Sequence, residues 1–312
     1  MSESTETATT TDGEDVGTEL SRNLGLLEIT MIGIGAMIGA GVFALTGFAA
    51  GIAGPALLLA FLFNGVIALF TAMSYAELGS TFPQAGGAYN WVTEALPSPY
   101  GFYTGWVNWL AQALACALYA VTFGSFLITL ISGYTGLSES FVLFGFLTPT
   151  IAEKGFAVLV IALFAYINYR GAEEAGSAEV LVVVLKLIIL GLFVVFGILA
   201  TFSSPNWSAK FLSNPSFFPT GIGGILGAMG FVYVAFEGYD IIVQSGEEVK
   251  NPGENIPKSI FYALLATIPI YILVAFAAIG GIDVTPRLLE FANINANPSS
   301  IPTWQLLGNL GE

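Results

Sequence analysis

The chain has 312 residues, 55% of them hydrophobic and only 10% charged, with 22 acids against 8 bases for a net charge of −14. A soluble domain carries about 25% charged residues, so the composition excludes that class and leaves a membrane protein, while the acid excess excludes nucleic acid as a partner. Histidine is absent, which removes the commonest general base and metal ligand; serine–histidine chemistry and the usual zinc sites are excluded, and no enzyme activity, metal or cofactor is expected.

Residues 1–23, opening "MSESTETATTTDGEDVGTEL", are polar and acidic without a basic n-region. They are expected to form a disordered cytoplasmic tail and not a cleaved signal peptide. The tail and acidic loops account for the net charge on the bland reading. The acid excess together with the scarcity of lysine also fits the surface of a protein from a high-salt organism. The single cysteine, Cys116, lies in an apolar run and cannot form an internal disulfide.

A membrane-spanning helix needs about 20 mostly apolar residues. Seven stretches qualify or nearly so: Leu27–Ala50, Pro55–Leu78, Gly101–Ile131, Gly155–Tyr169, Ala178–Phe202, Gly221–Ser245 and Ile256–Ile282. Pro55 and Pro257 fall near helix starts, where proline is tolerated. The fourth span is short, and "FVLFGFL" before it reads as a loop or interfacial segment. With the N-terminus inside, Arg22, Arg170, Lys250 and Lys258 flank the cytoplasmic side and Lys154, Lys210 and Arg287 the outer side. Arg22, beside the first span, tips this balance toward a cytoplasmic N-terminus. Trp91, Tyr100, Tyr103, Trp106 and Trp109 read as an interfacial aromatic belt.

The first and sixth spans depart from ordinary helices. In "MIGIGAMIGAGVFALTG" Gly33, Gly35, Gly39 and Gly41 fall close together, although each glycine weakens a helix interior by about 1 kcal/mol relative to alanine. In "GIGGILGAMGFVYVAFEGYDIIVQSGEE" two acids, Glu237 and Asp240, flank Gly238. One reading is close helix packing, since Gly35-x-x-x-Gly39 and Gly223-x-x-x-Gly227 fit the small-xxx-small pattern. The other is unwinding at membrane depth, which exposes N–H groups to an anion and C=O groups to a cation. Two broken helices facing each other would suit an amino acid, whose two charges sit on one carbon. Periodicity alone leaves both readings open.

Three blocks carry a family. "GIGAMIGAGVF" (Gly33 to Phe43), "SYAELGSTFPQAGGAYNWV" (Ser74 to Val92) and "FEGYDIIVQSGEEVKNPGENIPKSI" (Phe236 to Ile260) resemble the amino acid–polyamine–organocation permeases. The third block is nearest to the cationic-amino-acid branch, and the resemblance covers about residues 20 to 285. It implies an all-α membrane protein with a LeuT-type inverted-repeat core whose first and sixth helices are discontinuous. The implied activity is secondary transport of an amino acid across the cell membrane, by alternating access around a site at mid-bilayer. The resemblance places the substrate carboxylate on the N–H groups of Gly39, Ala40 and Gly41. It places the α-amino group on carbonyls of Met37, Val234 and Glu237, with Phe236 and Gly238 bordering the substrate. Val234 stands where an exchanger of the family has a gating tryptophan, so no such gate is expected. With the resemblance, unwinding is favoured over packing.

A charge at a helix centre costs roughly 2.5–3.5 kcal/mol on insertion scales and needs a reason. In proton-coupled permeases of this family a lysine matching Lys186 looks like a substitute for bound sodium, so the resemblance implies a proton as coupling ion. A purely structural ion pair is the alternative. Glu237 stands where the family often has an apolar residue, and reads as a contact for a cationic side chain, a proton carrier or a water-facing group. Asp240 reads as a hydrogen-bonding anchor at the break, Glu77 as structural or gating, and Lys250 as a loop anchor.

The family fold has ten core helices. Residues 24–202 would supply the first five-helix repeat, 203–282 the start of the second, and 283–312 an extracellular loop before a missing eighth helix. The chain is therefore expected to be a fragment, not competent by itself for coupled uptake. A polyamine or amine carrier or exchanger, and a non-transporting membrane module, are the rival readings.

Overall fold

The computed structural model describes residues 22–135, 148–170, 172–213, 216–282 and 301–311. Among them there is no strand, only helices and a single parallel bridge between Leu24 and Val249. In chain order the helices are α1 (Leu26–Met37), α2 (Ala40–Phe43), α3 (Leu45–Ala53), α4 (Leu57–Thr81), α5 (Ala88–Ala95), α6 (Ser98–Thr135), α7 (Pro149–Arg170) and α8 (Ala172–Ser203). They continue with α9 (Trp207–Leu212), α10 (Gly221–Val232), α11 (Tyr239–Gln244), α12 (Pro252–Gly281) and α13 (Thr303–Gly311). Tight single turns of 3-10 helix cover Gly54–Ala56, Tyr233–Phe236 and Gly246–Glu248.

Six helical stretches are long and apolar enough to cross a membrane: Leu45–Thr81, Ser98–Tyr134, Pro149–Arg170, Leu181–Ser203, Gly221–Gln244 and Pro252–Gly281. Length and composition of this kind make the chain a multi-pass membrane protein. The seven expected spans differ in two places, each for a local reason. The first is cut at Ile38–Gly39, which leaves α1 as a 12-residue rod. Its remainder, α3, is joined to α4 through the turn at Gly54. That turn holds φ +63 at Gly54, and a Cβ there would lie 2.5 Å from Pro219 Cγ, so both the backbone and the space demand glycine. The fourth span is longer than its apolar run suggests, because α7 begins at Pro149, where proline starts a helix without losing a bond.

The core lies where α12 packs along α4, α8 and α1, and where α10 and α11 close against α3, α4 and α1. Phe61, Phe236, Tyr271, Ile242 and Leu264 are fully buried there. Helices α6 and α7 pair with each other and, like α8, leave most of their apolar surface uncovered. Buried polar side chains in this core are matched: Asn64 of α4 donates to the Met229 carbonyl of α10 at 2.8 Å, and Thr267 of α12 donates to the Ala263 carbonyl at 2.9 Å. In lipid an unmatched group of this kind costs several kcal/mol.

The "GEEVKNP" segment forms a hub at one end of the bundle. Leu24 N–H donates to the Glu248 carbonyl at 3.0 Å, and Lys250 N–H to the Leu24 carbonyl at 2.8 Å. Ala85 N–H donates to Glu247 Oε1 at 3.0 Å, which ties in the loop between α4 and α5. Asn251 holds the left-handed conformation (φ 47) just before Pro252 starts α12. Lys250, expected to anchor this loop, takes part in the hub through its backbone N–H.

Of the segments expected to be irregular, the tail up to residue 21, "FVLFGFL" and residues 283–300 with Arg287 lie outside the described residues. The end of the expected loop 283–312 is helical: α13 packs on α3, with Gly308 so close to Gly51 that a Cβ on Gly51 would lie 2.6 Å from Gly308 Cα.

Candidate site where two interrupted helices cross

Both glycine readings hold at the crossing, although the Gly223-x-x-x-Gly227 pair makes no close helix contact at Gly223, where a Cβ would meet nothing within 4 Å. Helix α1 stops at Met37, Ile38 and Gly39 leave the helical region (ψ 83 and φ −132, ψ −154), and α2 starts at Ala40. The second rod stops after the Tyr233–Phe236 turn; Glu237 is extended (φ −68, ψ 144), Gly238 takes φ +127, and α11 starts at Tyr239. The glycines around these breaks also permit close approach. A Cβ on Gly41 would sit 2.6 Å from Ala235 Cα, and one on Gly238 would sit 2.8 Å from the Ala36 carbonyl carbon. Gly33 and Gly35 likewise lie against Ile242 of α11 and Val183 of α8. The two breaks therefore cross backbone to backbone.

Breaking a helix orphans N–H and C=O groups, and the site is organised by what meets them. Lys186 of α8 donates to the carbonyls of Gly35 and Ile38, the latter at 2.7 Å. An ammonium at a helix C-terminus also lies at the negative end of the macrodipole. The Tyr271 hydroxyl of α12 lies 2.7 Å from the Met37 carbonyl and 2.7 Å from the Ala235 carbonyl, one from each broken rod. Met37 O also accepts the Gly39 N–H at 2.9 Å, and Val234 O accepts the Glu237 N–H at 3.2 Å.

Of the three N–H groups expected to meet a carboxylate, that of Gly39 is thus given to Met37, while those of Ala40 and Gly41 start the helical run toward Ala53 and have no acceptor in the turn before them. The Met37 carbonyl lies among buried groups, and Val234 is half-buried. Phe236, expected to border the substrate, packs into the core instead: its ring lies 5.1 Å from that of Tyr271 and 6.4 Å from that of Phe61. Gly238 is buried against Ala36 and Met37 of α1, and Glu237 is exposed.

The Asp240 carboxylate folds back on its own break. It accepts the Gly238 N–H at 3.1 Å, the Gln244 amide at 3.1 Å and the Gln112 amide of α6 at 3.4 Å, as an anchor would. Glu77, by contrast, is exposed near the end of α4, where its carbonyl accepts the hydroxyls of Ser80 and Thr81. Trp91 is buried against Tyr75, with ring centroids 5.5 Å apart, and so leaves the expected aromatic belt; Trp106 and Trp109 remain exposed on α6.

Several site residues were not singled out by sequence. Gln112, Cys116 and Tyr119 share one face of α6 by their i, i+4, i+7 spacing, and Tyr119 packs its ring over Gly39, 3.2 Å from where a Cβ would be. Tyr119 also lines, with Cys116, Phe123, Val160, Phe164 and Asn168, a pocket of about 470 Å³ between α6 and α7. Tyr271 carries a signal: a lone phenol deep in "TIPIYILVAF" needs a buried partner, since tyrosine otherwise favours membrane interfaces. Asn64 in "FLFNGVIALF" carries the same one. Among the described residues no group of three or more cysteine or acidic side chains could hold a metal ion.

A family model described as amino acid permease matches residues 28–301. The branched-chain amino acid permease BcaP of Bacillus subtilis is 32% identical over 279 residues, covering 85% of this chain and 57% of its own length. The methylthioribose transporter of the same organism is 30% identical over 285 residues, covering 88% and 57%. Its glutamate/serine transporter AimA is 30% identical over 282 residues, covering 89% and 51%. The chain thus spans little more than half the length of these curated relatives. Their names cover branched-chain, acidic and small polar amino acids and a thiosugar, and single out no class of side chain.

Proposed function

Since the chain belongs to the amino acid permease family, we propose that its crossed helix breaks form the central binding site of an amino acid transporter that works by alternating access. The observation that carries this reading is the backbone contact of Gly41 with Ala235 inside two interrupted membrane rods. Unwinding there is costly in lipid, and a ligand with one cationic and one anionic group is the chemistry that free helix ends on both rods would serve. The Ala40 and Gly41 N–H groups take the carboxylate. The carbonyls of Met37, Val234 and Glu237 take the ammonium once the ligand competes with their present donors, and Gly39, Phe236 and Gly238 shape the crossing rather than bond the ligand directly.

The architecture fits a LeuT-type core in which residues 24–202 form one repeat and 203–282 begin its inverted partner. On this reading the protein sits in the cell membrane with its N-terminus in the cytoplasm, which puts the "GEEVKNP" hub inside. Lys186 is the coupling group: an ammonium on the Gly35 and Ile38 carbonyls can hold α1 in place while protonated and release it on losing the proton. Amino acid binding is expected of these 312 residues.

The test is equilibrium binding of a panel of radiolabelled amino acids to the purified chain in lipid nanodiscs. Saturable binding that is lost when Gly41 is replaced by valine, while a Gly230→Val chain still binds, is the expected result. No saturable binding of any amino acid by the folded chain overturns the proposal.

A further inference from the structure

Helix α10 does not run unchanged to the second break. It ends with the Tyr233 N–H on the Met229 carbonyl, and the Tyr233–Phe236 turn that follows is 3-10, closing with the Glu237 N–H on the Val234 carbonyl at 3.2 Å. Between those two bonds stand four carbonyls, of Gly230, Phe231, Val232 and Tyr233, and three N–H groups, of Val234, Ala235 and Phe236. The change of spacing therefore leaves one carbonyl short of a main-chain donor. A 3-10 stretch inside a longer rod often marks a hinge.

Asn64 of α4 sits at this change. Its side chain is buried, with 2% exposure, and its amide donates at 2.8 Å to the Met229 carbonyl, the same oxygen that takes the Tyr233 N–H. The base from which it reaches is fixed. A Cβ on the next residue, Gly65, would lie 2.7 Å from Ile268 Cγ1 of α12. Phe61, one turn back, packs its ring 5.6 Å from that of Tyr271 and 6.4 Å from that of Phe236.

An asparagine bond between membrane helices serves in many places as plain glue. This one falls on a main-chain oxygen that already has its helical donor, and a side chain entering the helical ladder is a recognised cause of bending. When the Tyr233 N–H leaves Met229, the oxygen keeps Asn64. With an apolar residue at 64 the same motion would strand a carbonyl inside the bundle, which is costly in lipid.

Resting on the alternating-access reading above, we infer that Asn64 is the positioning residue of a hinge at Met229–Tyr233, on which α10 turns relative to the crossing while α4 stays seated on α12. The Tyr233 N–H is the bond that opens, and the Asn64 amide holds the oxygen it leaves. Opening admits or releases the ligand at the second break. The contact of Gly41 with Ala235 lies beyond the hinge and is kept.

The experiment is residue-resolved hydrogen exchange of the chain in lipid nanodiscs, with dissociation of a bound radiolabelled amino acid measured beside it. In the unaltered chain the Tyr233 amide is expected to exchange about tenfold or more faster than those of Ala228 and Met229 in the same helix. Asn64→Leu is expected to slow the Tyr233 amide about tenfold, because opening then leaves Met229 without a donor, and to slow release of the amino acid by a similar factor. A bond that is glue alone gives the opposite sign, since its loss speeds exchange at Tyr233. Faster or unchanged exchange there in Asn64→Leu, or release of the amino acid at the unaltered rate, overturns the inference and leaves the transporter reading standing. A Tyr233 amide as slow as that of Ala228 in the unaltered chain overturns it too, and needs no variant to fold. Slowed exchange in a folded chain that binds no amino acid keeps the hinge and overturns the transporter reading.

Discussion

The ammonium of Lys186 on α8 lies 2.7 Å from the carbonyl oxygen of Ile38, the first residue beyond the end of α1. It reaches Gly35 as well, so one side chain serves two of the carbonyls that the break leaves without helical donors. Replacing it with methionine keeps the apolar stem and removes the donors. Lys186→Met is expected to lower the thermal stability of the chain, by the roughly 1–3 kcal/mol of unpaired buried acceptors. In a chain carrying both repeats it is expected to abolish the pH dependence of uptake. An unchanged pH dependence would leave Lys186 as a structural cap alone.

Tyr271→Phe removes a single oxygen from a fully buried ring and leaves the ring's packing with Phe61 and Phe236 in place. The Met37 carbonyl keeps the Gly39 N–H, whereas the Ala235 carbonyl loses its side-chain donor. A loss of about 1–3 kcal/mol is expected, read as a lower Tm, together with weaker amino acid binding. A Tm equal to that of the parent would show that the hydroxyl ties nothing together.

The glycines separate into two groups that one substitution distinguishes. Gly41→Ala drives a Cβ into Ala235 backbone at 2.6 Å, so the crossing must open. Gly230→Ala on α10 meets nothing within 4 Å and is expected to be neutral or to stabilise the helix by up to about 1 kcal/mol. Thermal unfolding of the two variants side by side checks this. Equal behaviour would mean that the close crossing does not contribute to stability.

Leu24→Pro deletes the N–H that bonds the Glu248 carbonyl at 3.0 Å while the Leu24 carbonyl remains for Lys250. Helix α1 packs along its length on α12, α11 and α8, and the Leu24 bonds fix the segment just before its start. Faster hydrogen exchange at the amides of residues 249 and 250 is expected in the variant. Exchange unchanged there would show that the hub holds its shape without the segment before α1.

Much of the helical layout was legible because bilayer thickness imposes long apolar runs. The clustered glycines and the acids inside the spans left close packing and unwinding both open, and only the family resemblance favoured the breaks. The boundary at Gly54-Pro55 was legible, and the backbone turns there within a single 3-10 turn between α3 and α4. Phe236 was expected to border the substrate; its ring is buried beside Phe61 and Tyr271, a tertiary fact with no local signature. Lys186 was visible as a charge in the wrong place, but its acceptors lie some 150 positions earlier in the chain. The Leu24–Val249 bridge is invisible for the same reason, being a main-chain bond that any residue type can make.

A phenol has one hydrogen, and Tyr271 stands equally far from two oxygens, on Met37 and on Ala235. Turning the O–H bond moves that hydrogen from one rod to the other with no displacement of any heavier atom. An incoming ammonium that satisfies either oxygen therefore frees the hydrogen for the opposite one. On the binding reading proposed above, occupancy at one rod would be passed to its neighbour as a rotation, silent in a map of atomic positions and open to infrared measurement of the two carbonyl stretches.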